Sequence, residues 1–207
     1  MASKIEIEVK RTRGRPKGFD RTEAVRAAML LFWERGYEGT SFDDLTGAMG
    51  INPSSFRNTF KSKEALYREA TDLYVAERGA WFAGVLSEEK NVRAAFMRLF
   101  DEAATFYTME SQPSGCMVSL AAAHVPASMS SLRDMMTAHR SAGETAMAER
   151  IRQGQRDGQI GTDIDSEIIA AFFNTIFRGM ALQARDGASK TRLLEIAQVA
   201  MAALPQL

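Results

Sequence analysis

The segment Asn52-Pro53-Ser54-Ser55-Phe56-Arg57-Asn58-Thr59-Phe60 gathers hydrogen-bonding side chains on one short element. Arg57 offers a planar fork of donors that fits guanine O6 and N7, or a phosphate. Ser54, Ser55, Asn58 and Thr59 add smaller donors and acceptors, while Phe56 and Phe60, four apart, supply an apolar anchor. A short helix of this kind, polar outside and held by a few apolar residues, is what major-groove readout of DNA requires. Helix–turn–helix segments also occur as plain structure, so the segment alone leaves both readings open.

The elements that must position it can be read on either side. Thr40 or Ser41 can cap a preceding helix, and Ser41 with Asp44 has capping-box spacing. Asp43 and Asp44 suit the positive end of that helix. Phe42, Leu45, Ala48 and Met49 form its expected buried face. Gly50 is placed to stop it in a left-handed conformation, Asn52 to cap the next helix, and Pro53 to open it where no N–H is needed. The predicted reading helix is 53–60. A helix over 21–35 precedes this pair, with Asp20 and Glu23 at capping-box spacing, Ala24, Ala27, Ala28, Leu31 and Phe32 inward, and Gly36 at its end. Three helices of about 45 residues are too small to be very stable alone. They must lean on the remainder of the chain.

That remainder reads as helical throughout. The patterns predict helices from Ser62 to about Leu86, from Asn91 to Met109, over 116–124, 128–156, 165–184 and 189–203, with breaks at Gln112–Gly115, Pro126 and Gly158–Gly161. The fold class is therefore all-α: an N-terminal three-helix DNA-binding unit over 20–66 and a helical regulatory and dimerisation part over 67–207. Residues 1–19 form a basic arm ahead of both. Lys10, Arg11, Arg13, Arg15, Lys17 and Arg21 crowd this stretch, although the 207-residue chain has a formal net charge of zero. Arg13-Gly14-Arg15-Pro16 has the form of an arm whose arginines enter a narrow A·T minor groove, and equally of a solvated basic tail. KIEIEVK at 4–10 alternates like a strand, with no evident partner.

Several classes are set aside. One cysteine excludes an internal disulfide and fits a reducing compartment. No apolar run approaches a membrane span, and the charged N-terminus lacks a secretory core, so a cytoplasmic protein without membrane contact is expected. No cofactor or metal is expected, because neither a Cys/His cluster nor a phosphate-cradling glycine loop is present. Cys116, His124 and His139 could in principle make a thiol–imidazole enzyme site, but no spacing enforces it. An architectural minor-groove binder built on the arm would not need about 120 further residues of helical domain.

Residues 20–67 resemble the DNA-binding domain of TetR-family transcriptional regulators. The resemblance rests on Gly36-Tyr37, Thr40, the turn MGIN before PSSFRNTF, Phe60 closing the reading helix, and Ser62-Lys63-Glu64 opening the next. It covers about a quarter of the chain. One departure stands out: the family often has Tyr and then His late in the reading helix, where this chain has Arg57 and Asn58. Operator preference therefore cannot be carried over. Position assigns Pro53, Ser54 and Ser55 to the end nearest the bases and Arg57 to direct readout. Thr40, Asn58, Lys61 and Lys63 are expected near phosphates, with a solvated surface charge as the alternative for each lysine, and Ser41 is a further candidate DNA contact.

A single reading helix covers few base pairs, so specific binding calls for a homodimer on a palindromic double-stranded operator. Ile169, Phe173, Ile176, Phe177 and Met180 on one helix, with Leu193, Ile196, Ala197, Ala200 and Ala203 on the next, form stripes for a four-helix interface or for the protomer's own core. The resemblance favours the interface. It also implies a repressor released by a small apolar or amphipathic effector in the helical domain. Candidate pocket residues are Phe96, Phe100, Phe106, Tyr107, Met117, Met135, Met136, His139 and Phe172, although a Met or Phe at helical spacing is more often core. Cys116, at the start of an apparent helix, is a candidate redox or electrophile sensor, or an inert buried thiol.

Overall fold

The computed structural model describes residues 19–121, 125, 129–163 and 165–204. Arg13, Arg15 and the 4–10 segment lie outside them, as do His124 and Pro126. Among the described residues the chain is helical, without strands: α1 Arg21–Arg35, α2 Phe42–Met49, α3 Pro53–Phe60, α4 Lys63–Glu88, α5 Val92–Tyr107, α6 Met117–Leu120, α7 Ser130–Arg156, α8 Ser166–Arg185 and α9 Lys190–Met201. None of these helices is long and apolar enough to cross a membrane.

Most helix starts are written in local chemistry. Asp20 accepts from the Thr22 and Glu23 amides. Ser41 and Asp44 complete the reciprocal capping box, and Asn52, Ser62, Asn91, Asp165 and Ser189 each accept from an amide in the first turn. Each such cap contributes about 1 kcal/mol. Gly50 closes α2 with φ 64° and ψ 30°, the left-handed geometry expected of it. Two expectations change. Asn91 and Thr108 flank α5 rather than belonging to it. The apolar run from Cys116 makes only one described turn, α6, burying Met117 and Val118. A short buried run carries no periodicity that could fix its length.

The first four helices share an aromatic core. Phe32 meets the edge of Tyr67 at 4.9 Å between centroids, and Tyr37 meets Tyr67 at 5.2 Å. Phe56 and Phe60 are buried beneath α3, but Ala48, expected inward, is exposed. This core does not end at residue 66. Trp33 of α1 packs on Tyr74 of α4 at 5.1 Å and on Phe106 of α5 at 5.6 Å. Ion pairs Arg21–Glu69 and Arg26–Glu77 lie along the same α1–α4 seam. Partly exposed pairs of this kind contribute under about 1 kcal/mol each, so the seam depends on its rings.

The remaining helices pack α4, α5, α7, α8 and α9 around Phe96, Phe100 and Phe173, with Phe96 and Phe173 centroids 4.8 Å apart. Arg150 of α7 donates to the Glu89 and Lys90 carbonyls at 3.0 Å each, and so holds the α4–α5 connection. Gly115 is the tightest point of the α5–α6 connection. Its φ is 81°, and a methyl group there would sit inside contact distance of the Ala181 carbonyl oxygen. Gly187 has φ 93° but open space around it. Gly115→Ala is therefore expected to lower unfolding free energy in urea by about 2–4 kcal/mol, from crowding added to backbone strain, and Gly187→Ala by only about 1 kcal/mol.

Candidate nucleic-acid interface and effector cavity

Helix α3 presents one polar face. Pro53, Ser54, Arg57 and Asn58 are exposed, Ser55 is half-buried, and Phe56 and Phe60 fix the opposite side. The Asn52 cap also organises the exposed hydroxyl of Ser54, which donates to Asn52 Oδ1 at 2.7 Å. The Arg57 guanidinium lies 5.9 Å from the Phe42 ring and makes no ion pair among the described residues, so its donors stay available.

Lys61 follows in an unusual conformation. Its φ of 64° and ψ of −54°, with the Ser62 amide donating to the Phe60 carbonyl at 2.7 Å, make a strained γ-turn. The turn ends α3 abruptly and holds an exposed lysine beside the α3–α4 junction. Lys63 is half-buried, its ammonium 4.3 Å from the Tyr37 ring centre. Burial pushes its pKa down, with Glu38 opposing.

Two residues expected at the DNA have other partners. Thr40 is fully buried, and its hydroxyl donates to the Gly36 carbonyl at 2.7 Å. It locks the α1–α2 connection and cannot reach a ligand by its side chain. The Ser41 hydroxyl accepts from the Asp44 amide and donates to the Asp44 carboxylate at 2.6 Å. The Ser41 hydroxyl and amide, both donating to that carboxylate, hold the Asp44 pKa below its usual value, with Arg35 assisting.

The second site is a cavity of about 280 Å³ bounded by α4, α5, α7, α8 and residues 116–119. Tyr74, Val75, Trp81, Phe82, Phe106, Tyr107, Val118, Ala146 and Phe177 make its apolar walls; Cys116, His139, Asn174, Arg78, Arg140 and Arg178 add polar atoms. Of the expected pocket residues, Phe106, Tyr107 and His139 line it. Phe96, Phe100, Met117 and Met136 are core, each 3% exposed or less. Met135 instead packs near Arg68, whose Nη1 lies 3.8 Å from its sulfur. Phe172 points outward. A stripe at helical spacing contains both inward sides of a helix, and only the neighbouring helices decide which side meets the cavity. The wall residues Arg78, Arg140 and Arg178 gave no such apolar signal. Cys116 does line the cavity, but the helix it caps is a single turn, too short for a substantial macrodipole.

A third feature is the outer face of α8 and α9. Phe173, Met180, Leu193, Ala197 and Ala200, expected at a dimer contact, are buried inside the protomer. Ile169, Ile176, Phe177 and Ile196 are half-buried, and Phe177 faces the cavity. The exposed apolar residues are Ile168 (66%), Phe172 (38%), Leu182 (52%) and Val199 (77%). On α8 they fall on one face with Thr175 and Gly179, at the spacing 168, 172, 175, 179, 182.

Residues 24–70 match the model for bacterial regulatory proteins of the tetR family, and residues 94–200 match the tetracyclin repressor-like C-terminal domain. The chain belongs to the TetR family of transcriptional regulators. It is 34% identical over 200 residues to the transcriptional repressor ComR of Escherichia coli strain K12, spanning 96% of this chain and 95% of ComR. It is 30% identical over 192 residues to the repressor BdcR of the same strain, spanning 92% and 91%. Among solved structures it is similar to a cysteine-substituted form of the TetR-family regulator CifR in complex with 26-bp double-strand operator DNA. That likeness has 38% identity and a TM-score of 0.88, and covers 93% of this chain and 100% of CifR.

The γ-turn at Lys61 yields a prediction independent of any ligand. Lys61→Ala keeps the strained φ, whereas Lys61→Gly relieves it. In matched thermal or urea unfolding, the glycine variant should be the more stable of the two by about 1 kcal/mol.

Proposed function

We propose that this protein is a ligand-released repressor that binds a palindromic operator as a homodimer. The observation that carries the reading is the course of α4. Its first half is built into the reading head through Leu66, Tyr67, Ala70 and Tyr74, and its second half lines the cavity through Val75, Arg78, Trp81 and Phe82. An effector that prefers one placement of α4 then changes the placement of α3. The names of ComR and BdcR as repressors, and the operator complex of CifR, support this function. The cytoplasm is where such a protein meets its DNA.

On the DNA side, α3 would enter the major groove with Pro53, Ser54 and Ser55 near the bases and Arg57 as the reader. Asn58, Lys61 and Lys63 would take phosphates. Arg13 and Arg15 would add minor-groove or phosphate contacts from the N-terminal arm. Fluorescence anisotropy on the duplex flanking the protein's own gene, against a scrambled duplex, tests the whole reading. A preference of about 10³-fold or more is expected. Equal binding to both, or to neither, would remove it. In the same assay Arg57→Ala should cost about 1–3 kcal/mol and relax preference at one base position, whereas uniform weakening would make Arg57 a phosphate contact.

Two protomers would join through the outer α8–α9 face. Its exposed Ile168, Phe172, Leu182 and Val199 need cover, and Gly179 lets a second helix approach closely. Only two reading heads held about 34–36 Å apart cover a twofold operator. Ile168→Asp with Val199→Asp should sediment as a folded monomer with sharply weaker operator binding. An unchanged dimer would place the interface elsewhere.

A second reading is favoured by the position of Cys116 on the cavity wall: a thiol there would be accessible to an electrophile small enough to enter. If Cys116→Ser responds to a small electrophile as the native protein does, that reading is lost.

A further inference from the structure

On the outside of the helical domain several arginines pair with carboxylates: Arg98 with Glu88, Glu89 and Glu102, Arg152 with Glu149 and Glu167, Arg156 with Glu149, and Arg185 with Glu34. The three arginines on the cavity wall do not. Arg78 stacks on the Phe106 ring at 3.9 Å and donates to Gln112 Oε1 at 3.3 Å. Arg140 donates to Thr137 Oγ1 at 3.0 Å and, at the limit of bonding distance, to the Val118 carbonyl. Arg178 makes no ion pair among the described residues.

Among the described residues no aspartate or glutamate lines the cavity. Glu144, half-buried on α7, accepts from the side-chain amide of the wall residue Asn174 at 2.7 Å. Arg140 and Arg178 are near enough to repel each other: burial lowers the Arg140 pKa first, and Arg178 lowers it further. Cations drawn from water into an apolar recess are costly unless an anion meets them. The Tyr107 hydroxyl, fully buried on the same wall, has no hydrogen-bond partner among the described residues. Burial pushes its pKa well up, so it stays a neutral donor.

We infer that the cavity takes a small amphipathic anion, with an aromatic or aliphatic body among Trp81, Phe82 and Phe177 and a single oxyanion head, best a carboxylate, at Arg140 and Arg178. Guanidinium forks match a carboxylate's two oxygens and concentrate positive potential in a low-dielectric recess. Tyr107 supplies a further donor to a polar group of the ligand. This names the chemical class of the effector and rests on the reading of the cavity as the effector site.

The test uses two fluorescent probes of nearly the same shape: 8-anilinonaphthalene-1-sulfonate, which is anionic, and uncharged N-phenyl-1-naphthylamine. The native protein should bind the sulfonate about tenfold or more tightly than the neutral probe. Arg140→Gln and Arg178→Gln, each checked by circular dichroism for an intact fold, should weaken the sulfonate about tenfold and leave the neutral probe unchanged. Arg133→Gln, on the exposed side of α7, should change neither. Gly143→Leu, whose side chain would extend toward Phe82, should block both probes. 4-Phenylbutyrate should displace the sulfonate, and 4-phenylbutan-1-ol should not.

Equal or better binding of the neutral probe to native protein would overturn the inference. So would native-like sulfonate binding in both arginine variants, or sulfonate binding that survives Gly143→Leu. The titration contains no DNA, so a failure to bind any operator would defeat the repressor reading and leave the measured charge preference standing. Arginine-dependent probe binding without operator release would remove only the link between this cavity and the DNA.

Discussion

Helix α4 belongs to two cores at once, and the rest of the structure depends on that sharing. Tyr67 sits between Phe32 and Tyr37 in the reading head. Two turns later Tyr74 touches Trp33, and Trp33 also stacks on Phe106 of the helical domain. Phe106 leads to Tyr107 at 6.0 Å, and Tyr107 to Phe177 at 5.5 Å across the cavity. Rings packed this way cannot shift singly without opening voids, so one aromatic core ties α1 to α4 and to α5. The small N-terminal unit obtains its stability from this arrangement and gives up its independence in return.

Charge is divided along the same lines. Many arginines and glutamates of the outer helices pair with each other, whereas the cations at two places do not. One is the polar face of α3 with Lys61 and Lys63, where no carboxylate is paired with Arg57, Lys61 or Lys63 among the described residues. The other is the cavity wall with Arg78, Arg140 and Arg178. A protein of zero formal net charge thus carries two groups of cations without ion pairs among the described residues, separated by the first half of α4. Bulk charge describes neither.

The apolar stripes show where reading a sequence stops short. On α8, Phe173 and Met180 were as plausible at a dimer contact as in the core, because both faces of this helix are apolar. Packing against α5, α7 and α9 buries Phe173 and Met180 and leaves Ile168, Phe172 and Leu182 outside. The pocket divides in the same way: Phe106 and Tyr107 reach it, whereas Phe96 and Phe100 on the same helix meet Phe173 instead. Thr40 illustrates a different limit. A threonine at a helix start resembles a phosphate ligand until its hydroxyl is seen donating backward to Gly36.

Local chemistry was legible from the sequence alone. The Ser41–Asp44 box, the Asn52 cap with Pro53, the left-handed Gly50 and the exposed polar face of α3 all follow from residues within one turn of each other, so no distant contact was needed to specify them. The all-helical class and the family resemblance rest on that same local order. Tertiary structure decided everything set by which helix lies against which: the length of α6, the inward faces of α5, α7 and α8, and the meeting of three arginines from α4, α7 and α8 around one apolar space. Arg78, Arg140 and Arg178 are far apart in the chain and ordinary in their local settings. They share one cavity wall only because packing brings them together there, and no pattern of period 3.6 records that.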